Sequence, residues 1–171
     1  MLRPSEHWFW TYCPNKDRLL LDISDEAQFC SPYSGNLLRQ KPQQQALSMA
    51  EAEMFWAADD SLQQLDMPAA VRLEICLAAL CAPFIQQQGH KSWYFQQLNA
   101  YQAKPFELVT LRGLTTQYAL VVETEEQSVC CLLLGDIDTL AGKSLSRLQF
   151  IRVLNNRVAP LAVAASLRNI A

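Results

Sequence analysis

The sequence predicts an α+β protein with a mixed α/β N-terminal domain and a mostly β C-terminal domain, and three observations carry this. The chain opens with Trp8, Trp10 and Tyr12 alternating with Phe9 and Thr11, the two-residue period of a half-buried strand. Two stretches between Ser48 and Gln87 carry helix-start signals followed by long apolar runs. Beyond Lys104-Pro105 come near-continuous apolar segments, as expected of strands covered on both faces. Strands, then helices, then strands and a closing helix is an α+β order. Half of the 171 residues are hydrophobic and only 18% are charged, a composition that builds a core rather than a disordered chain.

The turn formers Cys13-Pro14-Asn15-Lys16-Asp17 separate the first strand from Leu19, Leu20, Leu21 and Ile23, which predicts an antiparallel hairpin with a four- or five-residue loop. Ala27 to Cys30 adds a short third strand. Asn36 to Gln45 is polar and glutamine-rich and reads as a surface connection with one helical turn. Ser48 and Glu51 have capping-box spacing, so a helix starts there and runs towards Asp59. Asp66 is placed to cap a second helix, with Pro68 in its first turn, running to about Gln87 and kinked near its end by Pro83. This helix is apolar on most sides and is expected between layers. Strands are expected at 107–111, 117–123 and 129–134, the last two joined by Thr124-Glu125-Glu126-Gln127. Ser144 or Ser146 would cap a closing helix with Leu148, Ile151, Leu154 and Val158 in one stripe and Pro160 at its end. The tail beyond Leu161 is mildly apolar. A break falls within 88–105 and is placed after Phe95, giving domains 1–95 and 96–171.

Several function classes find no support. A net charge of -3 without a Lys/Arg cluster disfavours nucleic acid. Residues 1–10 carry no apolar export signal, and no apolar run approaches the roughly 20 residues of a membrane span, so no membrane insertion is expected. The six cysteines include no C-x-x-C pair and are read as reduced, buried, small hydrophobes. Phosphate-binding loops, nucleophile elbows and H-E-x-x-H are absent, and His7 and His90 are the only histidines. No cofactor or metal is expected, Asp136 and Asp138 being too few oxygens for a hard cation. A cysteine enzyme pairing Cys81 or Cys130 with His90 is the weaker alternative.

The aromatics suggest binding instead. Trp8, Trp10 and Tyr12, with Trp93 and Phe95, are either core or the lining of a groove for a peptide, whose acidic residues Arg18 and Lys91 would contact. A generic peptide-binding adaptor is one reading of this kind.

A family resemblance sharpens it. Trp8-x-Trp10-x-Tyr12, Asp17 to Ile23, Lys91-Ser92-Trp93-Tyr94-Phe95, Leu120 to Glu123, Cys131 to Leu134 and Leu154-Asn155-Asn156-Arg157-Val158-x-Pro160 resemble, in order and spacing, segments of the ZapC family of gammaproteobacterial cell-division proteins. The glutamine-rich region 36–66 and the last ten residues depart from the pattern. The resemblance implies an α/β N-terminal domain and a twisted, β-barrel-like C-terminal domain, each with a pocket and neither catalytic. It also implies a non-enzymatic regulator at the cytoplasmic mid-cell division site. Such a protein binds the tubulin-like GTPase FtsZ, promotes lateral bundling of its protofilaments, stabilises the Z ring and lowers FtsZ GTPase activity. Leu21 and the Lys91–Trp93 segment match positions in or near the N-terminal pocket. The hairpin residues Trp8, Trp10, Arg18, Leu19, Leu21 and Ile23 would form one wall of it, with Lys91, Trp93 and Phe95 alongside. The protein would act as a monomer with two surfaces or as a weak dimer. Residues 1–66 hold an excess of acids and 67–171 are mildly basic, which would orient the protein on a filament.

Overall fold

The computed structural model describes residues 2–87 and 89–161 and divides into two compact units, 1–87 and 88–171. The division opens the 88–105 stretch that composition marks. Residues 88–95, which a boundary after Phe95 assigns to the first domain, fall in the second unit. Expectations for the tail beyond Leu161 lie outside the described residues.

In the first unit, β1 (Phe9–Cys13) and β2 (Arg18–Ser24) form the expected hairpin, with Trp10 opposite Leu21 and Tyr12 opposite Leu19. The short strands β3 (Ala27–Cys30) and β4 (Gln45–Ala46) flank it, in the order β3-β2-β1-β4. The hairpin loop ends on Asp17 at φ 50°, a conformation that Asp tolerates. The Asp17 carboxylate accepts from the Tyr12 hydroxyl and from Gly35 N–H at 2.9 Å, and these bonds hold its pKa below the usual aspartate value. Gly35 packs so tightly here that a Cβ would stand 2.7 Å from the Tyr12 oxygen. The 31–46 connection is thereby tied to the hairpin.

Helix α1 (Met49–Leu62) starts with the predicted capping box: Ser48 Oγ accepts from Glu51 N–H at 3.1 Å, and Ser48 N–H donates to Glu51 Oε1 at 3.0 Å. The other Glu51 oxygen accepts from Trp10 Nε1–H. One carboxylate therefore joins the helix start to the centre of the sheet. Trp8 packs edge-on against Phe55, with centroids 6.1 Å apart, and Trp10 lies 4.9 Å from Phe84.

Helix α2 (Ala69–Ala79) is shorter than expected, and Pro68 rather than Asp66 occupies its N-cap. Pro83 explains the early stop. Its ring clashes with the carbonyl of residue 79 and it has no N–H to donate there, so the chain passes into a 3-10 turn, Ala82–Phe84, instead of kinking and continuing. Residues 69–74 are exposed or half-buried, and burial is complete only from Ile75 to Cys81. Arg72 Nε donates to Asp59 Oδ1 at 2.9 Å, pinning α2 to α1.

The second unit is a five-stranded antiparallel sheet, β5 (Leu108–Arg112), β6 (Thr116–Thr124), β7 (Ser128–Leu133), β10 (Phe150–Leu154) and β11 (Val158–Pro160), in the order β10-β7-β6-β5-β11. The sheet is twisted and open, with β10 and β11 at its edges, rather than closed into a barrel. A small hairpin, β8 (Ile137–Asp138) with β9 (Ser144–Leu145), sits between β7 and β10 in the chain. Leu108, Leu120, Leu132 and Phe150 form one lateral row across four strands. Val109, Leu111, Val121, Cys131, Ile151 and Val153 belong to the core cluster that also takes in Phe95. A bulge between Val121 and Glu123 sets Glu123 opposite Cys130, and its carboxylate lies 3.6 Å from buried Arg152.

The expected closing helix is not there. The strands β9, β10 and β11 take its place, joined by a turn at 146–149 and a 3-10 turn at Asn155–Arg157, because Phe150-Ile151-Arg152-Val153 is buried throughout and pairs along β7. The helical stripe was a sampling of a run that is apolar on both faces, and β-branched residues favour the strand. Pro160 ends an edge strand, where a missing N–H costs no ladder bond. The segment from His90 to Tyr94 lies along the outer edge of β10. His90 bridges Arg152, Lys91 N–H donates to Arg152 O at 2.8 Å, and Leu154 N–H donates to Ser92 Oγ at 2.9 Å.

Because Glu51 caps a helix and satisfies a buried indole, Glu51→Ala is expected to destabilise the fold by roughly 2–4 kcal/mol in urea unfolding. Ser48→Ala, which removes the cap alone, should cost about 1 kcal/mol.

Candidate functional site

The residues expected to bind a partner divide by burial. Trp8, Trp10, Leu19 and Leu21 are 0–2% exposed and form the core of the first unit. Phe95, also 2% exposed, sits in the core of the second. Arg18 is half-buried and donates to the Asp17 carbonyl at 2.7 Å. Ile23 is half-buried at the β2 bulge. Lys91 is half-buried, its ammonium 5.7 Å from the centre of the Tyr94 ring. Trp93 is 63% exposed and meets Tyr94 edge-on at 5.2 Å. Trp10 and Leu21 are therefore brought together across the hairpin, and Lys91 and Trp93 on a single turn of the second unit.

Each unit has accessible apolar surface. On the first, Ile23 lines an open cavity of about 620 Å³ with His7, Phe9, Asp22, Ser24 and Asp25. Its chemistry is apolar at Phe9 and Ile23 and acidic at the rim. A second cavity, about 360 Å³, opens between α1 and α2, walled by Leu2, Phe55, Ala69, Ala70 and Leu73 beside the Asp59–Arg72 pair. It is shaped for an apolar side chain rather than a charged ligand. On the second unit, Leu114 and Leu140 are 66% and 48% exposed; Leu140 N–H donates to Tyr94 O at 2.9 Å, next to Trp93, and Leu114 N–H donates to Asp138 O at 2.7 Å. Sequence reasoning missed Phe9, the α1–α2 groove and the two leucines. The available signal for the leucines was a large apolar residue inside a glycine-bearing turn, Gly113-Leu114-Thr115 and Leu140-Ala141-Gly142. The first unit carries eleven acidic against six basic residues, and the second six against eight.

The groups considered for catalysis are otherwise engaged. Cys81 is buried in the first unit, while β10, carrying Arg152, lies between Cys130 and His90. Burial pushes the Cys76 thiol up to about 12 and Cys130 to about 11, and raises Cys81 and Cys131 as well. A thiol that stays protonated at neutral pH is a poor nucleophile. Asp136 accepts from Arg147 N–H at 2.7 Å and Asp138 from the Ser144 hydroxyl at 2.6 Å, so both carboxylates hold the β8–β9 region in shape. Among the described residues, no three His, Cys, Asp or Glu side chains are placed to hold a metal ion, and no helix is long and apolar enough to cross a membrane. Iodoacetamide on the native protein at pH 7.5 should label exposed Cys30 first. Cys76, Cys81, Cys130 and Cys131 should react only above pH 10 or after unfolding, as mass mapping of the alkylated peptides will show.

Comparison with known proteins covers both units. Residues 1–87 match the family model described as cell-division protein ZapC, N-terminal, and residues 88–164 match its C-terminal counterpart. Relatives named cell division protein ZapC align along nearly their whole length. That of Pseudoalteromonas translucida is 30% identical over 94% of this chain and 94% of its own. The Vibrio vulnificus protein is 30% identical over 95% and 93%, and the Aeromonas hydrophila protein 29% identical over 95% and 94%. With both halves matched in order and the junction at the boundary between the two compact units, the chain belongs to the ZapC family of cell-division proteins.

Proposed function

We propose that this protein binds FtsZ filaments at the cytoplasmic division site and promotes their lateral association, stabilising the Z ring and lowering FtsZ GTPase turnover. The observation that carries the reading is the family match along both units, which makes it a cell-division protein. Two features support the finer mechanism. Each unit has accessible apolar surface of its own, so a monomer has what it needs to touch two protofilaments, while a weak dimer would use one surface twice. The acidic excess of the first unit and the mildly basic second unit would orient the protein on a charged polymer. Of the expected interface residues, Arg18, Ile23, Lys91 and Trp93 are those we assign to direct contact. Trp8, Trp10, Leu19, Leu21 and Phe95 hold the backbone that presents them.

This division of roles bears on mutagenesis. Leu21→Ala empties a fully buried site and is expected to cost about 2–5 kcal/mol of stability, so lost binding in that variant reports folding as much as contact. The deciding measurement is co-sedimentation with polymerised FtsZ, with and without its C-terminal tail, alongside phosphate release. Co-pelleting with slowed phosphate release is expected, and raised salt should weaken pelleting. Absence from both pellets would defeat the reading.

A further inference from the structure

Helix α1 has one face that the fold uses and one that it leaves open. Glu51, Phe55, Ala58, Asp59 and Leu62 are buried and fall on the inner side. On the opposite side Met49, Glu53, Trp56 and Asp60 lie within about 60° of one another around the helix axis, and all four are exposed. Met49 and Trp56, at 80% and 41%, are two of the six large hydrophobic residues exposed among the described ones. Apolar and acidic groups alternate along this stripe, which is about 16 Å long. Half-buried Ala52 and Ala57 border it, one on each side, and leave room for a second backbone to come close. Trp56 is held as well as exposed. Its ring meets Phe55 edge-on at 5.3 Å, and Phe55 meets Trp8 edge-on, so the indole is the outer end of an aromatic chain that begins in the core. A tryptophan fixed in this way loses little freedom when a partner covers it.

The helix carries acids and no base: Glu51, Glu53, Asp59 and Asp60. Glu51 is taken up by the capping box and Trp10, and Asp59 by Arg72. Among the described residues, no hydrogen bond or ion pair meets the Glu53 or Asp60 carboxylate. We propose that the outer face of α1 docks a basic amphipathic helix of a partner protein. Its apolar residues would cover Met49 and Trp56, and its Lys or Arg would meet Glu53 and Asp60. Charge complementarity selects the basic occupant, and a stripe of about three turns with three- and four-residue spacing selects a helix. A second copy presenting the same helix would set carboxylate against carboxylate, and an anionic lipid surface would be repelled. The inference does not depend on the filament reading above.

The test uses the full chain and two labelled synthetic helices in which leucine alternates with a charged residue at the same spacing, Lys in one and Glu in the other. Fluorescence anisotropy should show the Leu/Lys peptide binding about tenfold tighter than the Leu/Glu peptide. Glu53→Lys combined with Asp60→Lys should reverse that order, and Met49→Ser should weaken the Leu/Lys peptide about threefold. These three side chains are exposed, so circular dichroism and Tm should match the parent, and Trp56, which also packs on Phe55, is left in place. A preference that survives the charge swap unchanged would overturn the assignment of this face. Equal binding of a peptide with serine in place of leucine would reduce the contact to unspecific charge attraction and overturn the docking mode. Sedimentation velocity that shows a dimer of the parent, lost in Met49→Ser, would give the face to a second copy instead.

Discussion

The Glu51 carboxylate accepts hydrogen bonds from two directions, the first turn of α1 on one side and the indole of Trp10 on the other, and the first unit is organised around that meeting. Trp10 fixes the register of the hairpin through its pairing with Leu21. From Glu51, α1 carries Phe55 onto Trp8 and Asp59 to Arg72 of α2. The 3-10 turn that follows α2 brings Phe84 back against Trp10. The contacts thus form a closed circuit from sheet to helix to helix and back. A buried carboxylate holds such a position only when its oxygens are matched, as here by the Ser48 backbone N–H on one oxygen and the Trp10 indole N–H on the other.

The second unit is held by area rather than by one polar bond. Its strands are buried on both faces, and lateral rows such as Leu108–Leu120–Leu132–Phe150 cross the sheet without a polar break. Its buried cation, Arg152, is met by Ser128 and by Glu123 and Glu125, which reach it from β6 and the following turn. Burial on both faces also sets the cysteine chemistry, since the same apolar surroundings that pack Cys131 keep its thiol protonated.

What the sequence disclosed follows from the range of the forces involved. The hairpin, the capping box and the β6–β7 turn rest on residues within a few positions of one another, and those were legible. The end of α2 turned on where a proline ring meets a carbonyl four residues back, which moves the stop from Gln87 to Ala79. The last element was misread because a run covered on both faces carries no period, so helix spacing and strand spacing both fit Phe150–Val158. Alternation at Trp8, Trp10 and Tyr12 told which residues share a face but not which face meets water; the tryptophans proved to be core, and Phe9 and Ile23 the accessible groups. Leu114 and Leu140 are 26 positions apart in the chain, and only tertiary hydrogen bonds bring the turn of the first to Asp138 and the turn of the second to Tyr94. The family, by contrast, was readable from ordered short segments, each unspecific alone.

The edges of the five-stranded sheet have a bearing on how copies of this chain can meet. The outer side of β10 is occupied by His90 and Lys91, and β11 is three residues long with Pro160 at its end. Neither offers an extended row of unsatisfied amides, the template from which sheets recruit further strands. Crowding many copies together therefore leaves the backbone of this sheet without a route to fuse with its neighbours. Contacts made by this unit must pass through side chains, which can be tuned one substitution at a time and released as readily as they form.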